Sequence, residues 1–153
     1  MAKKLSAGIV LYRKRETGIE VLLVHPGGPF WAKKDDGAWL IPKGEYVEGE
    51  DPLSVAKREF AEETGSELSG PCAELPPAKQ PSGKIIRAWA VEGDLDAASI
   101  RSNSFSMEWP PKSGRVQSFP EVDRALWCDV ALARRKLLPG QQVLLDELEQ
   151  RIG

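Results

Sequence analysis

The segment from Glu50 to Gly65 carries its own start and stop signals, and no other stretch limits the fold as tightly. Glu50, Asp51 and Pro52 place two acids and a proline where a helix begins, and Gly65 supplies the left-handed residue that commonly ends one. The spacing predicts a helix from about Asp51 to Thr64. On a helical wheel Leu53, Ala56 and Phe60 form an apolar stripe, and Glu59, Glu62 and Glu63 share a neighbouring arc of about 100°. One face packs against another layer, and the face beside it is strongly acidic.

The rest of the chain supplies the other layers. Residues 5–12 and 19–25 are β-branched, apolar-rich runs separated by a charged turn, and they read as a strand pair joined by a hairpin-like loop. Residues 26–37 are rich in breakers and form a long loop holding Phe30, Trp31, Lys33 and Lys34. Residues 38–41 give a short strand signal that Pro42 ends, and residues 44–49 are turn-rich. Residues 69–83 read as a loop, 84–91 as a strand and 94–103 as a further loop. Residues 104–109 alternate with period two until Pro110 and Pro111 stop them, and 124–130 give a last short strand. From 141 to 152, Val143, Leu144, Leu145, Leu148 and Ile152 fall at helical spacing, which predicts a closing helix. There is no internal repeat and no linker long enough to divide the chain, so one domain over residues 1–153 is expected.

Composition excludes several classes. The chain is 41% hydrophobic and 29% charged, which argues against disorder and against a membrane class. With 21 basic and 23 acidic residues the formal charge is −2, so there is no overall basic field for duplex nucleic acid and any phosphate binding is local. The basic N-terminal run is too short and too charged for a signal peptide or a membrane span, and a cytoplasmic protein is expected. Cys72 and Cys128 lie far apart, and His25 is the only histidine, so a zinc site is not expected and the cysteines read as reduced thiols.

Glutamates at i, i+3 and i+4 repel one another unless something compensates them. A divalent cation does so, since Mg²⁺ prefers carboxylate oxygens and completes its shell with water and substrate phosphate. From the cluster alone, a solvated acidic face paired with Lys57 and Arg58 competes with this reading.

The wider spacing decides between them. Gly44, five residues, Glu50, seven residues and then Arg58-Glu59-Phe60-Ala61-Glu62-Glu63-Thr64-Gly65 match all seven fixed positions of a known pattern. At roughly 7% usage per position, such a match arises by chance on the order of once in a hundred million starting points. The chain resembles the Nudix hydrolase family, whose box reads G-x5-E-x7-R-E-U-x-E-E-x-G-U with U apolar. Ser66 departs from the last U. The box covers about 23 of the 153 residues.

The resemblance implies an α/β (α+β) fold, an α/β/α sandwich with a mixed β-sheet. It implies a Mg²⁺-dependent pyrophosphohydrolase, with Mn²⁺ as the alternative ion, acting on a small nucleotide substrate. Glu59 and Glu63 match the family's principal metal ligands, with Glu62 beside them, and a backbone carbonyl near Lys43 and Gly44 is a further ligand. Arg58 matches a carboxylate-orienting position and Glu50 a supporting one. The general base comes from the box or from an outside glutamate, here Glu108 or Glu121, with Glu121 preferred because it precedes the strand of Trp127.

The box handles the diphosphate, and the loops choose what is attached to it. The run Trp39-Leu40-Ile41-Pro42-Lys43-Gly44 is similar to the diadenosine polyphosphate hydrolase branch, which makes Lys43 a phosphate contact. Trp31, Lys33, Trp109 and Phe119 are candidates for base stacking and phosphate contact. Diadenosine tetraphosphate, cut to ATP and AMP, is the expected substrate. Nucleoside triphosphates including oxidised ones, nucleotide sugars, ADP-ribose and triphosphorylated RNA ends remain as alternatives, as does a nucleotide-sensing module that cleaves nothing.

Overall fold

A computed structural model describes residues 5–152. Lys3 and Lys4 of the basic N-terminal run lie outside them. In chain order the elements are β1 (Leu5–Arg15), β2 (Gly18–Pro26), β3 (Lys43–Tyr46), α1 (Pro52–Thr64), β4 (Ala73–Glu74), β5 (Ala78–Lys79) and β6 (Ile85–Glu92), followed by β7 (Ser104–Glu108), β8 (Val116–Pro120), β9 (Val122–Asp129), α2 (Val130–Lys136) and α3 (Val143–Ile152).

The main sheet runs β4-β6-β1-β2-β9, with β3 added to β1 and β5 to β6. It is mixed: β1 pairs parallel with β6 and antiparallel with β2 and β3. Central β1 is buried from Ser6 to Tyr12, as a strand covered on both faces must be. Its odd positions Ala7, Ile9 and Leu11 meet Val55, Ala56 and Phe60 of α1. Val10 and Tyr12 face the other way, in one core with Ala133 of α2 and Leu144, Leu145 and Leu148 of α3. Helices on both faces of a mixed sheet make the expected α/β/α sandwich. Among the described residues no helix is long and apolar enough to cross a membrane.

Helix α1 ends where its signals place it. The Asp51 side chain accepts from the Ser54 N–H at 3.2 Å and from its hydroxyl at 2.6 Å, capping the first turn. Gly65 adopts φ 78° and donates its N–H to the Ala61 carbonyl.

Elsewhere the structure departs from expectation. Residues 38–41 make only isolated bridges, through Trp39 to Leu137 and Leu40 to Val24. The stretch read as turns contains β3, because the start of β1 offers an open edge there. The loop over 69–83 holds β4 and β5, too short to carry a periodic signal. β8 was not expected: four of its five residues are exposed, so it has no apolar run. α2 was also unexpected, and it buries only Ala133.

Candidate active site

Three carboxylates converge beside α1. Glu59 and Glu62 come from the helix and Glu121 from the link between β8 and β9, and one oxygen of each lies within 4.8 Å of the others. The route that brings Glu121 there begins at the open end of α1. Arg101 and Asn103 donate their N–H groups to the Thr64 and Glu62 carbonyls at 2.9 and 2.7 Å, satisfying acceptors that the helix leaves unpaired. The Asn103 carbonyl in turn accepts from the Glu121 N–H at 2.8 Å. Sequence reasoning missed Asn103, and its side chain carried no signal because its backbone makes both bonds.

Glu63 sits behind this trio rather than in it. It is only 7% exposed. Burial, then the charges of Glu59 and Glu121, push its carboxyl up to about 8, while the Lys43 N–H and ammonium pull it partly back. Burial and the neighbouring Glu62 and Glu121 charges also raise Glu59, and burial and Glu62 raise Glu121. Arg58 is the basic partner at hand, and its nitrogens stay 3.8 Å from Glu59 and 3.9 Å from Glu62. These contacts are too long for hydrogen bonds, so the negative charge is left largely uncompensated.

Gly44 explains how Glu59 reaches its place. A Cβ on Gly44 would lie 2.2 Å from Glu59 Cδ, so only glycine lets this carboxylate rest against β3. The register adds a second point. Ile9 donates to the Pro42 carbonyl, and Ala7 stands opposite Gly44 while Gly8 stands opposite Lys43. In an antiparallel ladder this commits the Gly44 carbonyl to Ala7 and turns the Lys43 N–H and C=O to the open edge. There the Lys43 N–H acts on Glu63, drawing its raised carboxyl partly back down. Of the two residues whose carbonyls sequence reasoning named together, the ladder leaves that of Lys43 free. The Lys43 side chain leaves the strand on the Gly8 side, and burial together with Lys84 pushes its ammonium below the ordinary value.

The donor set fits a divalent cation. Carboxylates whose cationic neighbour Arg58 stays beyond hydrogen-bond reach, three of them raised partly by neighbouring carboxylate charge, suit a hard ion with oxygen ligands, and the Gly44 cradle holds Glu59 in position. Glu50 lies outside the group and closes the loop before α1 by accepting from the Val47 N–H at 3.0 Å. Both Glu108 oxygens are occupied by the N–H groups of Lys112 and Gly114 in the β7–β8 turn. That turn is four residues up the hairpin, roughly 13 Å from its base, so of the two outside glutamates the fold brings Glu121 alone to the group.

The aromatic and basic candidates divide between two places. In the 26–37 loop the Lys34 ammonium lies 4.9 Å from the centre of the Trp31 ring, and Lys33 is exposed beside it. Trp109 meets Phe30 edge to face, and Phe119 packs with Phe105. A groove of about 540 Å³ runs along the outer side of α1, with Arg58, Glu62 and Asn103 among its walls.

Comparison with known proteins places this geometry. Residues 2–148 match the family model described as NUDIX domain. An Ap4A hydrolase of C. elegans, in a binary complex, is similar at 23% identity, with 97% of each chain covered and a TM-score of 0.63. The NUDIX domain of Shewanella oneidensis NrtR, complexed with ADP ribose, is similar at 17% identity, covering 100% of this chain and 90% of that one, with a TM-score of 0.66. A mutT/nudix family protein from Listeria innocua is similar at 18% identity, covering 99% and 95%, with a TM-score of 0.62. At these identities the likeness is one of fold.

Proposed function

The chain belongs to the Nudix family, whose hydrolases act on pyrophosphate bonds, and from that membership we propose that it cleaves dinucleoside polyphosphates such as diadenosine tetraphosphate, using Mg²⁺. The observation that carries the catalytic part is the convergence of Glu59, Glu62 and Glu121 beside buried Glu63. The similarity to an Ap4A hydrolase and the run Pro42-Lys43-Gly44 support the substrate class.

Glu59, Glu62 and Glu63 hold the ion together with the outward carbonyl of Lys43, and Mn²⁺ is the natural substitute for Mg²⁺. The ion, when bound, withdraws charge from the phosphate oxygens and makes water more acidic. Arg58 orients the carboxylates of Glu59 and Glu62 from the rim. Glu121 takes the proton of the attacking water: it arrives from outside the helix, and its raised pKa brings its basicity closer to neutral pH. The water oxygen bonds to phosphorus as the bridging P–O bond breaks, and the leaving nucleotide departs with the bridging oxygen. Lys43 offers its ammonium to the phosphate chain. Trp31 and Lys33 line the approach from the 26–37 loop. The compartment expected for this chemistry is the cytoplasm.

The test is chromatographic product analysis with Mg²⁺ on diadenosine tetraphosphate, ATP, 8-oxo-dGTP, ADP-ribose and a triphosphorylated RNA. Conversion of diadenosine tetraphosphate to ATP and AMP, lost in Glu59→Gln, supports the reading. Preferential cleavage of another substrate reassigns specificity, and a wild-type protein that binds these nucleotides but cleaves none is a sensor.

A further inference from the structure

Glu121 is the member of the carboxylate trio that does not sit on α1, and it is held there against a force. An oxygen of each of Glu59, Glu62 and Glu121 lies within 4.8 Å of the others, and like charges at that range repel. The helix keeps Glu59 and Glu62 in place. Glu121 lies between β8 and β9 and depends on what fastens its main chain.

Three bonds do so. The Glu121 N–H donates to the Asn103 carbonyl at 2.8 Å, and the Glu121 carbonyl accepts from the Gly27 N–H at 2.9 Å. The next N–H, that of Val122, donates to the Ser102 hydroxyl at 2.9 Å. The hairpin register explains why Ser102 is at hand. Carried two steps past its first pair, Ser104 with Pro120, it sets Asn103 against Glu121 and Ser102 against Val122. On the other flank the β2–β9 register shifts between His25 and Pro26, where Pro26 meets Val122. At this irregularity the Val122 N–H goes to a side chain.

The Ser102 hydroxyl is committed on both sides. It donates to the Asn103 carbonyl at 2.7 Å, the same carbonyl that accepts from Glu121. With its one hydrogen so placed, its lone pairs serve Val122. Asn103 in turn donates its N–H to the Glu62 carbonyl at 2.7 Å, so Glu121 is measured from Glu62 through a single residue. The Glu121 carbonyl and the Val122 N–H belong to one rigid peptide plane, which Gly27 and Ser102 grip at its two ends. One grip leaves the plane free to turn, and two fix the direction in which the Glu121 side chain leaves it. Val122 is 5% exposed, so without the hydroxyl its N–H loses its partner where water does not readily replace it, and the plane turns about Gly27 to relieve that cost.

We propose that Ser102 is a positioning residue for Glu121: its hydroxyl orients the Glu121–Val122 peptide and so holds the carboxylate beside Glu59 and Glu62. The proposal rests on the reading of Glu121 as the base given above. Because Ser102 acts through Glu121, its loss is silent wherever Glu121 can no longer act.

The test is a double-mutant cycle on diadenosine tetraphosphate with Mg²⁺, at a temperature where melts show every variant folded. Ser102→Ala lowers kcat by about tenfold or more and leaves KM within about twofold, and Ser102→Thr, which keeps the hydroxyl, restores most of the rate. In the Glu121→Gln background the same Ser102→Ala change alters kcat by less than about twofold. If Ser102→Ala does not fold, Ser102→Cys, whose thiol is a weak acceptor, replaces it in the cycle. A lowered Tm with unchanged kcat, or an equal loss of kcat in both backgrounds, marks a role in stability alone and overturns the proposal. Crystal structures of wild type and Ser102→Ala read the placement without turnover. A Glu121 carboxylate withdrawn by about 1 Å or more from Glu59 and Glu62 upholds the proposal even if nothing is cleaved or Glu121→Gln keeps full kcat, outcomes that remove the base reading alone. An unmoved carboxylate overturns it.

Discussion

His25 and Glu63 are both ionisable and both buried, and the fold treats them in opposite ways. The His25 ring is fully enclosed; its Nδ1 pairs with Asp123 at 2.8 Å, its Nε2 with the Lys34 carbonyl at 2.7 Å, and its edge lies against Trp39. Both ring nitrogens are therefore engaged. The result is a clamp joining β2, β9 and the 26–37 loop. Glu63 has the Lys43 peptide for a partner and two more carboxylates for company. Burial with satisfied partners builds structure, whereas burial left in electrostatic deficit stores a demand for a cation.

The sharpest way to break this contrast is Glu63→Gln. Its pKa of about 8 lies above the ordinary value of 4.5, so the folded state prefers the neutral carboxyl. That contribution is fully present below pH 4.5 and is lost as the pH rises to about 8, so metal-free protein should lose on the order of a few kcal/mol across this window. Mg²⁺ should offset the loss. Glu63→Gln should flatten the slope and raise the metal-free Tm at pH 8 while lowering turnover by about two orders of magnitude or more, as thermal melts and product assays would read. A variant that melts lower at pH 8 would remove the deficit from the account.

Gly44→Ala comes next. The added methyl displaces the Glu59 carboxylate, and a shift of about 1 Å costs on the order of a hundredfold in rate. Activity should therefore fall far more than stability. On the other side of the comparison, His25→Phe should cost about 1–3 kcal/mol, because Asp123 and the Lys34 carbonyl lose their ring partner, and should lower the Tm by several degrees. Its effect on kcat should be much smaller than that of Glu63→Gln, and comparable rate losses would erase the distinction. The smallest effect is expected from Asp51→Ala, about 1 kcal/mol from the lost cap of α1, measured by denaturant unfolding.

Legibility in the sequence followed the range of the forces involved. The limits of α1 were readable because Asp51, Pro52 and Gly65 act within one turn of the helix. The strands β1, β2 and β6 were readable because burial on one or both faces leaves an apolar run. β3 was hidden, since Lys43, Gly44 and Glu45 have no strand pattern and pair only because β1 offers an edge. β8 was hidden for the same reason, being held by β7 and not by a core. At the candidate site, helical spacing put Glu59, Glu62 and Glu63 on one arc. It could not show that Glu63 is sunk against the Lys43 peptide while Glu121 closes the trio, because both depend on contacts between distant segments.

The edge of β3 bears on how this protein answers to mutagenesis. Two of the polar groups beside the carboxylates, the N–H and C=O at Lys43, belong to the main chain and survive every codon change. A survey by substitution at that position reports on the ammonium and is blind to the peptide. Replacing the amide by an ester through chemical synthesis would delete the N–H that faces Glu63, and exchanging the following amide would weaken the carbonyl. Part of the site is thus encoded by strand register, and selection acts on it only through the residues that keep β3 in place.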